Sequence, residues 1–229
     1  MRKNKKNKAK VSKAGSLWSI AFFLATLGNF VLFSITVLLL LLSSHREHLY
    51  RETLIAFFSG FFLIASILVT TKMRKFRTII HEMKHAVVVI LTGNKLNKIV
   101  ANADDGFVEY QMYESRLHFA PIISLAPYFF PFFSLPIFVG ALLVEHQSLV
   151  LASLILGAGL ASDICLGVGE IHPSQSDFKS IFGGFWLSKL YLVGFYLFWP
   201  TFLFLWVNSG SKSILSGFEK LALVFFQST

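Results

Sequence analysis

Apolar runs as long as a bilayer is thick constrain this chain more than any other feature. Leu17 to Ser43, Thr53 to Thr71, Phe119 to Val144, Leu149 to Gly169 and Ile181 to Val207 are all dominated by apolar side chains. Each is long enough as a helix to cross the hydrocarbon layer, which takes roughly 18 to 20 residues. Backbone amides in lipid must be satisfied internally, so a spanning chain is either a helical bundle or a closed barrel. None of these runs alternates apolar and polar residues as barrel strands do. The expected fold is an all-α multi-pass membrane helical bundle of about five to six membrane helices. Composition agrees: 55% of the 229 residues are hydrophobic and only 14% charged, with a mean hydropathy of +0.65. That balance excludes an ordinary soluble domain.

Charge orients the bundle. Arg2, Lys3, Lys5, Lys6, Lys8, Lys10 and Lys13 precede the first run, and Lys72, Arg74, Lys75 and Arg77 follow the second. Two spans separate the clusters, so both fall on one side, and the positive-inside rule makes that side cytoplasmic. The chain is expected in the cell (inner, cytoplasmic) membrane with its N-terminus in the cytoplasm, its basic tail facing an anionic inner leaflet. This explains the tail without nucleic acid, which is not expected as a partner. The apolar run after the tail is too long for a signal peptide and shows no small-residue cleavage site, so the tail is expected to be retained. A single cysteine, Cys165, excludes an internal disulfide and a thiolate cage. Metal binding would have to use histidine and carboxylate.

Three regions follow: a basic tail at 1–16, one membrane-embedded domain at 17–208, and an amphipathic tail at 209–229, of which Ser213 to Phe226 would lie at the interface. Within the domain, a helical pattern from Thr78 ends at Thr92-Gly93-Asn94, a stop signal. At about 1.5 Å per residue such a helix covers only some 22 Å, so it is expected to enter the bilayer without fully crossing it. A short β-hairpin is expected after it, within about 98–113. Ile99 to Asn102 and Phe107 to Tyr113 would be its strands, around Asp104, Asp105 and Gly106. Pro121, Pro127, Pro131 and Pro136 predict kinks or an irregular entry in the next run. Gly157, Ala161 and Cys165, spaced four apart, would let a neighbouring helix approach closely.

The sharpest chemical feature is His81-Glu82-Met83-Lys84-His85. Two histidines four apart on a helix project from one face and can share a tetrahedral metal, and a glutamate beside the first is placed to be general base for amide hydrolysis. Ionisable groups in an apolar helix are costly unless paired or metal-bound. A catalytic zinc site needs a third protein ligand. Asp163, inside the fourth long run, and Asp177, four residues after Pro173, are the candidates, with Glu170 and His172 behind them. An aspartate opening a helix can instead be a cap. His45, His48, His118 and His146 lie in predicted loops and receive no role.

In motif and in order, the segment from Arg74 to Phe182 resembles the site-2 protease family of intramembrane zinc metallopeptidases, particularly its smaller bacterial members. The shared series is His81-Glu82-x-x-His85 on a membrane helix, Thr92-Gly93-Asn94-Lys95, a strand pair, a proline-rich span, another span, and a proline-containing break ending in an aspartate. The resemblance implies that His81, His85 and Asp177 hold Zn2+ and that Glu82 is catalytic. Lys84 stands where family members usually have glycine, Phe178 follows the aspartate where glycine is usual, and the asparagine upstream of the proline is missing.

The expected function is a membrane zinc metallopeptidase that hydrolyses peptide bonds in or near transmembrane segments of a membrane-protein substrate. The alternative is a catalytically inactive homologue that binds or regulates a partner, because a lysine beside the zinc disfavours the metal unless its ammonium points away toward solvent or lipid headgroups. A transporter is a weaker option, since no repeated half is visible.

Overall fold

The computed structural model describes residues 28, 31, 35, 49–103, 105–143, 149–179, 181 and 184–227. The basic tail at 1–16 and, three isolated positions aside, the first expected span lie outside them. In chain order the elements are α1 (Leu49–Thr70), α2 (Arg74–Leu91), β1 (Lys95–Ala101), β2 (Gly106–Gln111), a 3-10 turn (Glu114–Phe119), α3 (Ala120–Phe129), α4 (Ser134–Leu142), α5 (Leu149–Val168), the short α6 (Ser176–Lys179) and α7 (Gly184–Gln227).

Among the described residues, three helices are long and apolar enough to cross a membrane: Arg51–Thr70, Leu149–Val168 and Gly184–Val207. A fourth span is possible as the bent pair Glu114–Phe129 and Ser134–Leu142, which turns by 85°. The described helices therefore supply three or four spans of the five to six expected. The sequence boundaries of the three long helices agree at Leu149 and Val207 and differ elsewhere by at most three residues. Ile55, Phe62, Leu63 and Val69 on α1 are 57, 62, 61 and 76% exposed, an apolar surface that water disfavours and lipid accepts. The tail expected at 209–229 continues α7 as helix to Gln227.

Helices α1 and α5 pack backbone to backbone. A methyl added at Gly157 would sit 1.9 Å from the Phe57 carbonyl oxygen, and one at Gly60 would sit 2.0 Å from that of Leu154. Glycine at both positions is what lets the helices meet, as the small-residue spacing on α5 predicts. The main core lies where Phe57, Leu156 and Leu160 meet Trp199, Leu203 and Trp206 of α7. Arg77 ties the ends together, donating to the carbonyls of Leu68 (3.0 Å) and Cys165 (3.3 Å).

Helix α2 stops where the sequence says it should. Gly93 adopts φ +68°, Gly93 N–H donates to Ile90 O and Asn94 N–H to Val89 O, the paired bonds of a Schellman cap. Arg116 adds its guanidinium to the Thr92 and Gly93 carbonyls. Eighteen residues make α2 about 27 Å long, more than the 22 Å expected, yet it is not among the helices apolar enough to span.

The hairpin is longer at its start than expected. Lys95 pairs with Gln111 and Leu96 with Tyr110, with an irregularity between Leu96 and Lys98. Residues 95–98 lack the β-branched character that marks a strand from sequence, and pairing with β2 draws them in. Asn102 closes the turn by donating its backbone and side-chain N–H groups to Asp105.

Candidate metal centre

His81 and His85 lie one turn apart on α2 with ring centroids 5.2 Å apart. Their Nε2 atoms lie 3.4 Å and 3.6 Å from one atom, Oδ2 of Asp177. These separations are too long for good hydrogen bonds. They suit donors around a shared ion: at zinc bond lengths of about 2.0 to 2.1 Å, tetrahedral ligand atoms stand about 3.3 Å apart. Among the described residues, His81, His85 and Asp177 form the group of metal-ligating side chains whose donor atoms all lie within 4.8 Å of one another. Two imidazoles and one carboxylate are a donor set that fits catalytic zinc, with a coordination position left open.

Each ligand is itself oriented. His85 Nδ1 lies 2.7 Å from the Ile123 carbonyl oxygen. A carbonyl only accepts, so the proton sits on Nδ1 and the Nε2 lone pair is left for a metal. Asp177 is carried by α6, just after Pro173, and its Oδ2 accepts the Tyr128 hydroxyl at 2.9 Å. Tyr128 is fully buried; its ring stacks on Phe178 and meets His81 edge-on, and its carbonyl accepts the Tyr196 hydroxyl. Burial by itself would raise the Asp177 carboxyl, but His81, His85 and Tyr128 hold it below the usual carboxylate range. It is therefore an anion near neutral pH, as a ligand must be.

Glu82 is buried on the same helix and turned toward the hairpin. A methyl at Gly106 would come within 2.6 Å of its Oε1, so the hairpin turn closes directly on the carboxylate. A cavity of about 450 Å³ opens here, lined by the four site residues, by Gly106, Phe107, Val108 and Tyr110 of the hairpin, and by Glu170, Gln175 and Ser176. Burial, and then the charge of Asp177, push the Tyr110 phenol up, so it is neutral here.

The other sequence candidates are placed elsewhere. Asp163 is buried in α5 and takes no part in the ligand cluster. Its Oδ1 lies 3.5 Å from Lys84 Nζ, and it accepts hydrogen bonds from Phe133 N–H, Ser134 N–H and the Ser134 hydroxyl. Glu170 lines the cavity wall without joining the cluster, and His172 is bonded to Ser174 on the surface. His118 packs on Phe119, while His45, His48 and His146 lie outside the described residues. Sequence reasoning missed Tyr128 and the Ile123 carbonyl. The only hint was a hydroxyl-bearing residue inside the otherwise apolar stretch Leu125-Ala126-Pro127-Tyr128-Phe129.

Residues 61–164 match the family model described as Peptidase M50B-like. This is the site-2 protease family. The comparisons with curated proteins and with solved structures gave no match. The site-2 protease match takes in His81, Glu82, His85 and Asp163 but ends before Asp177. The choice of Asp177 over Asp163 as third ligand therefore rests on geometry alone. The match agrees with the spans and with the donor set.

Proposed function

We propose that this chain is a zinc metallopeptidase of the membrane, hydrolysing peptide bonds in or near transmembrane segments of membrane proteins. One observation carries the reading: His81, His85 and Asp177 converge beside Glu82 in a polar cavity of a membrane protein. The two imidazoles and the Asp177 carboxylate would hold the ion. When bound, zinc supplies Lewis-acid polarisation of the scissile carbonyl and makes water a stronger acid. Glu82 accepts the proton of the attacking water and later delivers it to the leaving amine. Ile123 and Tyr128 keep His85 and Asp177 in ligating orientation.

The substrate must arrive unwound, because the amides of a membrane helix are already bonded to one another. The hairpin offers it a partner. Among the described residues β2 pairs only with β1, and Phe107, Val108 and Tyr110 line the cavity. An extended segment laid along this strand would gain backbone hydrogen bonds and cross the site beside Glu82. Helix α2 starts in the basic cluster that the positive-inside rule keeps cytoplasmic, so the site opens near the cytoplasmic face of the cell membrane, with the N-terminus on that side.

The alternative of a silent regulatory homologue rested on Lys84. Its ammonium points neither to solvent nor to headgroups, as was expected of a tolerated lysine, but into the bundle, where it pairs with Asp163 and is not a free charge beside the ligands. The deciding experiment reconstitutes wild type and Glu82→Gln in liposomes with a single-span model substrate. Zinc-dependent cleavage by wild type, abolished in Glu82→Gln with zinc still bound, supports the enzyme. Zinc-loaded wild type and Glu82→Gln releasing fragments at equal rates contradicts it. Deleting residues 98–113 is expected to stop cleavage, and an unchanged rate would remove the strand-pairing step.

A further inference from the structure

Lys84 is 1% exposed and Asp163 6%, a lysine and an aspartate both buried inside the bundle. Charges so placed are costly, and neither is a ligand in the cluster already described. Their surroundings are built for them. The carboxylate takes the N–H groups of Phe133 and Ser134 and the Ser134 hydroxyl at 2.7 to 3.2 Å, and Ser134 Oγ in turn accepts Trp199 Nε1–H at 2.8 Å. Asp163 thus caps the start of α4 from a different helix. It fixes the 85° break in the Glu114–Leu142 pair to α5 and α7.

Helical geometry ties this network to the metal centre. At about 100° per residue, His85 lies about 40° around α2 from His81, Glu82 a further 60° beyond it, and Lys84 about 60° to the other side of His81. The histidine stripe is therefore flanked by two buried charged groups, Glu82 facing the hairpin and Lys84 facing α5. Rolling α2 in either direction would pull the Lys84 ammonium away from Asp163 or drive it into the bundle. His85 also answers to this part of the molecule, because Ile123, whose carbonyl orients it, lies on α3 immediately before the break that Asp163 caps.

We propose that Lys84 and Asp163 are a positioning pair: their ion pair sets the rotation of α2 against α5 and so aims His81 and His85 at Asp177. The proposal rests on the metal reading of the site. It assigns a role to the lysine between the two histidines: Lys84 supplies from the site helix the counter-charge for the carboxylate that caps α4.

The test is cobalt substitution of the full chain purified in detergent, followed by visible absorption and chelator competition, for wild type, Lys84→Met and Lys84→Met/Asp163→Asn. The double variant leaves no uncompensated charge and so keeps the test open if the single variant misfolds. In folded, monodisperse protein we expect a changed cobalt spectrum and affinity weakened roughly 10- to 100-fold, the usual cost of losing a group that orients metal ligands. A purely structural pair would lower stability and leave the spectrum of the folded fraction alone. Either variant folding with the wild-type spectrum and affinity overturns the positioning role. Failure of both variants to fold assigns the pair to stability alone and also overturns it. A wild-type protein that takes up no cobalt and no zinc overturns the metallopeptidase reading instead, and the pair's role with it.

Discussion

Tyr128 donates its hydroxyl to Asp177 Oδ2 across 2.9 Å, the same oxygen that faces both histidines. The residue that completes the ligand set is held by a side chain from another helix. Phenylalanine at 128 keeps the ring stacked on Phe178 and edge-on to His81 while removing the hydroxyl that bonds Asp177. Tyr128→Phe is expected to fold normally and to weaken zinc binding roughly 10- to 100-fold, read by chelator competition. Unchanged affinity would mean that Asp177 is held by other means.

Glu82 and Gly106 are in closer contact than any side chain at 106 would allow. The obstacle is the Glu82 side chain from Cγ outward and not backbone, so Gly106→Ala should displace Glu82 rather than the hairpin. Misplacement of a reacting group by about 1 Å can cost about a hundredfold. Zinc content is expected to stay at wild-type level while kcat falls by about that factor, and an unaltered kcat would show that Glu82 does not need its present position.

The α1–α5 contact is rigid because backbone meets backbone. Gly157→Val would push a side chain into the Phe57 carbonyl, and overpacking of this kind costs about 1 to 3 kcal/mol or more. Thermal unfolding in detergent should show a clear loss. Gly140→Ala, where nothing lies within 4 Å, should show none, since alanine is the better helix former.

Asp163→Ala strands the Lys84 ammonium in the bundle and leaves two N–H groups at the start of α4 uncapped. Breaking a buried pair from one side costs about 3 to 5 kcal/mol. The loss should be much smaller when Lys84→Met is added, and equal losses in the single and double variants would show that the two residues are not energetically coupled.

What the sequence disclosed and what it hid divide along physical lines. Apolar run length found α1, α5 and the start of α7 because crossing lipid is a demand on composition alone. The His81, Glu82 and His85 set was legible because helical spacing fixes which side chains share a face. Gly93 was legible as a stop because a left-handed residue after a helix is a local requirement. Asp177 could be read only as one of two candidates, since nothing local says whether α5 or the turn after Pro173 reaches α2. Lys84 was read as a charge beside the metal because sequence does not show which way a helix is rolled. The four prolines announced kinks or an irregular entry without saying which would form the 85° break, and the residue that holds it at Phe133, Asp163, lies thirty residues on.

The most direct measurement is zinc stoichiometry of detergent-purified wild type, His81→Ala and Asp177→Ala, each loaded with zinc and dialysed. One zinc per chain in wild type and almost none in either variant is the predicted result. Full occupancy in Asp177→Ala would mean that the ion is held by a different set of side chains, and no zinc in folded wild type would mean that the histidine pair serves some other end.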